Sequence, residues 1–155
     1  MIKKLKIKNY KSLKDVELKL EKFNVLIGPN ASGKSNLLDC LAFVSELTQD
    51  NVYRDLGDRG GYERVVFGGE KENIEISFEF VLDSKASEFL ISLSESGVVE
   101  EELSIEGEKI IERHSGKIAN RLFTKPSGKE YAEFTVNNWD SAIKEYPELR
   151  KYLIA

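Results

Sequence analysis

Residues 28–35 read GPNASGKS and match the pattern G-x-x-x-x-G-K-S, which is typical of a phosphate-binding loop. Glycine at the first and sixth positions lets such a loop wrap a phosphate closely, because glycine adopts backbone conformations that are closed to residues with a Cβ. Successive backbone N–H groups then point inward as an anion nest, and the N-terminus of a following helix adds partial positive charge. The chemistry that these residues predict is the binding of a nucleotide through its phosphates.

The last two residues of the motif have the most specific roles. We expect Lys34 to reach the β- and γ-phosphates of the nucleotide, and the Ser35 hydroxyl to ligate Mg²⁺. A Gly/Ser-rich turn between a strand and a helix is the alternative explanation of the same residues. The residues that the motif assigns to nucleotide binding are Gly28, Pro29, Asn30, Ala31, Ser32, Gly33, Lys34 and Ser35.

Two flanking segments must position this loop. The apolar run at residues 23–27, FNVLI, predicts a short buried strand that leads into the loop. Behind the loop, apolar residues recur at helical spacing and predict a helix that runs to about residue 47; they are Leu37, Leu38, Leu41, Ala42 and Val44. A strand, a glycine loop and a helix in this order favour a nucleotide-binding protein over an ordinary turn.

The rest of the chain is predicted to be mostly β. Alternating apolar and charged residues predict a hairpin in the first 20 residues, with its turn at residues 9–12. The polar residues 48–61 predict a loop or a frayed helix, and residues 62–136 predict an antiparallel meander. Apolar residues at helical spacing predict a terminal helix at residues 138–155. The fold class is therefore mixed α/β, a single partial domain in which residues 1–47 hold the phosphate loop.

Composition narrows the class of protein. The chain has 155 residues, enough for about one domain with a real core. No apolar run approaches the roughly 20 residues that cross a bilayer, so the sequence predicts no membrane partner. The N-terminus lacks the continuous apolar stretch of a signal peptide. The single cysteine, Cys40, has no intramolecular partner for a disulfide, which indicates a cytoplasmic protein.

Charge is spread unevenly along the chain. Residues 1–20 contain seven lysines and two acidic residues, which gives this segment a charge of +5. Because the net charge of the whole chain is −4, the remaining residues carry −9. A basic hairpin is typical of a surface that faces nucleic acid or a nucleotide. The same lysines also suit the solvated face of an edge strand, where charge discourages aggregation. The chain as a whole is too acidic to be classed as a DNA-binding protein by charge.

Three runs of sequence together resemble the N-terminal part of an ABC-type ATPase head of the SMC/RecF/OLD-like branch, among the AAA-family ATP-binding proteins. They are residues 5–13 (LKIKNYKSL), residues 16–18 (VEL) and residues 23–39 (FNVLIGPNASGKSNLLD). Residues 64–69 (RVVFGG) and 100–103 (EEEL) are weaker similarities to OLD-like ATPases. The resemblance implies a P-loop NTPase fold with an antiparallel β-subdomain, ATP and Mg²⁺ as cofactors, and Asn36 as a further nucleotide-binding residue. It also implies that Lys11 contacts a phosphate or the base.

The resemblance further implies partners. In this family two heads close on two ATP molecules, so it implies a nucleotide-dependent homodimer and a C-terminal half of the same head. Family members act in DNA repair, chromosome maintenance or phage defence, which implies that the full-length protein binds DNA.

The motifs for hydrolysis are missing from the sequence. The nearest candidate for the Walker B acid is Asp83 after FVL, but the alternating pattern predicts an antiparallel surface strand there. The run LSESG at residues 93–97 is faintly similar to a signature motif and lies in a predicted turn. His114 is predicted to be a surface residue, and Gln49 comes too early for a Q-loop. We therefore expect the chain to be an N-terminal part of an ATPase that binds Mg-ATP and continues beyond its terminal helix. The catalytic residues stay unassigned.

Two other interpretations share the phosphate loop. A complete small GTPase or kinase is one, since DRGG at residues 58–61 and NNWD at residues 137–140 superficially resemble guanine-site motifs. Such an enzyme needs alternating strands and helices after residue 60, and the sequence lacks them. A non-catalytic module that uses the loop for nucleotide-dependent interaction is the other.

Overall fold

The computed structural model describes residues 2–47, 52–69, 72–82, 84–115, 120–124 and 132–135. Within these ranges the helices are α1 (Lys34–Glu46), α2 (Val52–Asp58) and the single turn α3 (Tyr62–Val65), and a 3-10 turn follows at Phe67–Gly69. The strands are β1 (Ile2–Tyr10), β2 (Leu13–Lys19), β3 (Ile74–Leu82), β4 (Lys85–Ser94), β5 (Gly97–Ile105), β6 (Glu108–Ser115), β7 (Asn120–Thr124) and β8 (Ala132–Thr135).

The strands of the described ranges form one antiparallel sheet in the order β2-β1-β3-β4-β5-β6-β7-β8. The predicted N-terminal hairpin and the predicted meander are therefore parts of the same sheet, joined where β1 pairs with β3. In that pairing Leu5 lies opposite Phe78 and Ile7 lies opposite Ile76. Their common face is apolar, because side chains two residues apart on a strand point to the same side.

The core lies between this apolar face and the helices. Leu37, Cys40, Phe43 and Val44 are the buried residues of α1, and they recur at the spacing of one helical face. The Phe43 ring lies 5.9 Å from the ring of Tyr10 at the end of β1. Each large apolar side chain buried in this way contributes about 1.5–3 kcal/mol to folding. The helix that follows the phosphate loop is thus anchored on the sheet.

The opposite face of the sheet is charged and carries the lysines of β1. Lys4 forms an ion pair with Glu17 at 2.9 Å, and Lys8 forms one with Glu75 at 2.8 Å. The strand that carries these lysines, β1, is the second strand of the sheet, and β2 is the edge. Lys8 is thus paired with a carboxylate from β3, outside the hairpin, whereas the partner of Lys4 lies on β2 within the hairpin.

Three sequence predictions differ from the structure. Residues 20–30 contain no strand, and Asn24 instead turns back to bond the backbone N–H and C=O of Glu21 at 3.0 and 2.8 Å. The polar segment after α1 was predicted as a loop or a frayed helix, and the structure replaces the loop alternative with the helix α2. The meander begins at Ile74, because residues 62–69 form short helical turns. The predicted terminal helix at residues 138–155 lies outside the described residues.

Within the described ranges, no helix is long and apolar enough to cross a membrane.

Candidate functional site

The end of the phosphate loop is held against the β1–β2 turn. Gly33 is the N-cap of α1 and has φ of +93°, a conformation that L side chains rarely adopt. A Cβ at this position would also lie 3.2 Å from Leu13 Cδ2 and from Ser12 Oγ. Glycine is therefore required here both by its backbone angle and by close packing. At Gly28 the constraint is different: a Cβ would lie 2.8 Å from Ser32 Oγ.

Lys34 is turned into its own loop. Its Nζ donates hydrogen bonds to the carbonyl oxygens of Gly28 and Pro29, both at 2.7 Å, and to Ser32 Oγ at 3.1 Å. An ammonium group has three donors, and three oxygen atoms of the loop accept them. The positive charge of Lys34 therefore points into the loop. The oxygens of a phosphate bound there could accept the same three hydrogen bonds in place of the loop oxygens.

The N-terminus of α1 is open to an anion. No side chain caps Gly33, and the first turn of α1 contains no acidic residue. The N–H groups at the start of a helix have no partner within the helix, and they carry the positive end of its dipole. Ser35 is exposed in this turn, whereas Asn36 donates from Nδ2 to Ser12 Oγ at 2.7 Å. These features fit a phosphate group, with Ser35 the free hydroxyl beside it.

Lys11, which the resemblance assigned to the nucleotide, is bound to a carboxylate in this structure. Its Nζ lies 2.6 Å from Asp39 Oδ2, and the Tyr10 hydroxyl donates to the same oxygen, also at 2.6 Å. Asp39 lies on α1, five residues after Lys34. The β1–β2 turn and the phosphate-loop helix are thus joined at a second point, beyond the contact at Gly33.

Arg59 extends this network from a third segment, after α2. Its Nε lies 3.4 Å from Asp39 Oδ1, and its Nη1 lies 2.6 Å from Glu46 Oε2. The guanidinium also lies over the ring of Phe43, 5.1 Å from its centroid, in a cation–π contact. Sequence analysis missed Asp39 and Arg59 as site residues, because their partners are far apart in the chain and share no local spacing. Asp39 is the last residue of the run at 23–39 that resembles the ATPase family, and this was the one sequence feature that could have pointed to it.

The charges of this network set the ionisation of Asp39. Burial disfavours its charged form, but hydrogen bonds from Lys11 and Tyr10 and the charge of Arg59 outweigh burial and hold the pKa of Asp39 below its usual value. Burial also raises the pKa of the neighbouring Cys40 thiol to about 12. Asp39 is therefore a carboxylate at neutral pH, and Cys40 is a neutral thiol that packs in the core.

The structure bears on the other candidates from the sequence. Phe80 and Val81 lie at the end of β3, paired antiparallel with β4, and Asp83 lies outside the described residues. Residues 94–97 form the turn between β4 and β5. His114 belongs to β6 by its backbone, and Gln49 lies outside the described residues. Among the described side chains, no three His, Cys, Asp or Glu residues are grouped to hold a metal ion.

The described ranges have a mixed α/β fold, in which a glycine-rich loop leads into a helix that packs on an antiparallel sheet. The strand pairs are all antiparallel in the described ranges, unlike the alternating strands and helices of a small GTPase or kinase. A family model for the AAA ATPase domain matches residues 1–155. The chain belongs to this family.

Relatives confirm the SMC/RecF-like resemblance. The chain is 46% identical over 44 residues to the chromosome partition protein Smc of Methanocaldococcus jannaschii, an alignment that covers 28% of this chain and 4% of that protein. It is 31% identical over 91 residues to the DNA replication and repair protein RecF of Bacillus cytotoxicus, which covers 54% of this chain and 24% of that protein. The chain thus matches a quarter or less of the length of these relatives.

A similar solved structure is that of the recombination mediator protein RecF with ATP. It has a TM-score of 0.48 and 22% sequence identity, and the match covers 70% of this chain and 28% of the RecF chain.

Proposed function

We propose that this chain is the ATP-binding N-terminal part of a cytoplasmic SMC/RecF-like ATPase. Residues 28–35 would surround the phosphates, Lys34 would neutralise the β- and γ-phosphates, and Ser35 would be the protein ligand of Mg²⁺. The observation that carries the proposal is the uncapped N-terminus of α1 beside a lysine that already faces the loop oxygens. Lys11 would keep its ion pair with Asp39 and offer its remaining ammonium donors to the nucleotide.

Binding alone is proposed for this part of the protein. A bound ATP supplies a phosphoanhydride bond and, with Mg²⁺, the electrophilic phosphorus. The residues of this chain hold and orient the phosphates, but hydrolysis also needs a carboxylate that orients water. Among the described residues, the hydrogen-bond partners of Lys34 are loop carbonyl and hydroxyl oxygens, and none is a carboxylate. We therefore assign water activation to a C-terminal half of the same head, in a nucleotide-dependent homodimer through which the full-length protein meets DNA in repair, chromosome maintenance or phage defence.

The exposed apolar residues before the loop support a completing partner segment. Phe23 is 83% exposed and Ile27 is 90% exposed, and both belong to the run that the sequence predicts as a buried strand. Adjacent apolar side chains exposed to water mark surfaces that another element covers. Strands contributed by the C-terminal half of the head would pair with residues 23–27 and bury them.

Calorimetry with Mg-ATP tests the proposal. We expect Lys34→Ala to weaken Mg-ATP binding at least about tenfold, because a charge-assisted contact contributes about 1.5–3 kcal/mol. Lys22→Ala removes the same charge from an exposed position outside the motif and should leave the affinity unchanged. The isolated chain should show no measurable turnover. Rapid hydrolysis by the chain alone, or a strong preference for GTP, would contradict the proposal and favour a complete P-loop enzyme.

A further inference from the structure

Three segments that are distant in the sequence meet at one carboxylate on the phosphate-loop helix. Tyr10, the last residue of β1, and Lys11, in the β1–β2 turn, both contact Asp39 Oδ2 at 2.6 Å. Arg59 approaches Asp39 Oδ1 at 3.4 Å. The side chains of Asp39 and Lys11 are 29% and 23% exposed, so the pair is largely shielded from water, and Arg59 is 10% exposed. Partly desolvated ion pairs are stronger than surface pairs, because the solvent screens them less.

The β1–β2 turn needs such external contacts. Asn9 and Lys11 have φ of 57° and 49°, in the left-handed region that residues other than glycine rarely adopt. Strained backbone of this kind persists only when the surrounding structure holds it. The backbone N–H of Lys11 donates to Val65 O at 2.6 Å, while its side chain reaches Asp39.

The same turn also touches the beginning of α1. Ser12 accepts a hydrogen bond from Asn36, and Ser12 and Leu13 pack against Gly33, the last residue of the loop before the helix. A shift of the turn would therefore move both the N-terminal end of α1 and the end of the phosphate loop. Asp39 fixes the turn from a position about 7.5 Å further along the helix axis than Lys34, given a rise of about 1.5 Å per residue.

We propose that Asp39 is a positioning residue, which clamps the β1–β2 turn and Arg59 onto the phosphate-loop helix and so holds the nucleotide-binding loop in register with the sheet. The readout of this role in affinity depends on the proposed binding of Mg-ATP. Asp39 itself lies away from the loop and makes no contact with it among the described hydrogen bonds.

The sign of one substitution separates positioning from simple electrostatics. Asp39→Asn removes a negative charge near an anion site, so electrostatics alone predicts tighter binding of Mg-ATP. A positioning role predicts weaker binding, by about tenfold, since coupling between connected sites changes affinity about 5- to 150-fold. Glu46→Gln is the matched control: it removes the same charge from the same helix and contacts Arg59 but neither Tyr10 nor Lys11. We expect it to change affinity less than about threefold.

Tyr10→Phe provides a second variant that keeps the buried ring and removes only the hydroxyl. We expect it to weaken Mg-ATP binding about threefold alone and to have no further effect when combined with Asp39→Asn, because the hydroxyl acts through Asp39. Additive losses in the double variant, unchanged affinity in Asp39→Asn, or tighter binding in Asp39→Asn would each overturn the inference.

Amide hydrogen exchange gives a readout that needs no nucleotide. Asp39→Asn should speed exchange at the amide of Lys11, bonded to Val65 O, and at the amide of Leu37, bonded to Gly33 O, by about tenfold each. The amide of Phe89, in the centre of the sheet, should be unaffected. If the wild-type chain binds no Mg-ATP, the proposed function fails, whereas unchanged exchange at Lys11 and Leu37 would refute the role of Asp39.

Discussion

Phe89 and Phe23 are the same residue type in opposite surroundings. Phe89 lies on β4 with 2% of its surface exposed and its ring 5.1 Å from that of Phe78, whereas Phe23 precedes the phosphate loop and is 83% exposed. Each belongs to an apolar run that the sequence alone predicts as a strand. β4 is paired with β3 and β5, and Phe89 packs in the hydrophobic core, whereas no described strand pairs with residues 23–27. An apolar run forms a strand only where neighbours exist to receive it.

The largest expected effect is on stability in the sheet. Phe89→Ala should lower the free energy of unfolding by about 3–5 kcal/mol, through lost burial and the cavity left behind. Phe23→Ala, the same truncation in the exposed segment, should change it by no more than about 0.5 kcal/mol. Urea unfolding followed by circular dichroism measures both. Similar losses in the two variants would mean that residues 23–27 are packed in solution, and the contrast between the regions would disappear.

A second contrast concerns two cations. Arg113 on β6 and Glu101 on β5 lie opposite each other, both fully buried, with Nη1 and Oε2 3.6 Å apart. Arg113→Met removes this buried ion pair and should destabilise the fold by about 3 kcal/mol. Lys34→Ala, in the exposed loop, should cost no more than about 0.5 kcal/mol. The two variants should therefore separate stability from Mg-ATP binding.

The double variant Glu101→Leu/Arg113→Met checks this explanation. Replacing both charges with apolar groups should recover most of the stability that Arg113→Met loses, because burying an ion pair costs desolvation energy. A double variant as unstable as the single one would show that the loss comes from packing around Arg113 and not from the broken ion pair.

The smallest expected effect is a loss of stability at alkaline pH, caused by Cys40, which is buried on α1 where the helix packs on the sheet. The pKa of Cys40 is raised by burial from 9.0 to about 12, so above pH 9 the unfolded chain loses the thiol proton and the folded chain keeps it. Stability must then fall as pH rises, by about 1 kcal/mol between pH 8 and pH 10. Cys40→Ala should show a correspondingly smaller fall in urea unfolding at the two pH values. Equal falls in both proteins would indicate that Cys40 is accessible to water.

Much of the fold was predictable because it follows from local periodicity. The strict alternation of Ile74, Ile76, Phe78 and Phe80 predicted β3, and the recurrence of Leu37, Leu41 and Val44 predicted α1, which ends at Glu46, one residue from the expected end. The turn at residues 106–108 was also predictable, because a glycine there separates two runs with strand character; in the structure Glu106 and Gly107 have positive φ. In each case the local spacing of apolar residues is enough to identify the type of element.

Features that depend on distant partners were not predictable in the same way. The pairing of β1 with β3 crosses the whole phosphate-loop segment, and the residues around Asp39 come from positions 10, 11 and 59. The apolar side chains of residues 62–67 follow neither strand nor helix periodicity. This segment forms a helical turn that places Val65 and Val66 in the core. The ion pair between Lys11 and Asp39 shows that a sequence motif can identify a charged residue without identifying the residue it pairs with.

The sequence by itself predicted the chemistry of the loop, because the glycines, the lysine and the serine stand at the spacings of a phosphate-binding loop. Tertiary structure alone decided which carboxylate holds Lys11, which strand lies at the edge of the sheet, and that residues 23–27 are exposed. The physical reason is range. Backbone freedom and hydrogen-bonding groups belong to each residue, whereas burial and charge compensation depend on which distant segments the fold brings together.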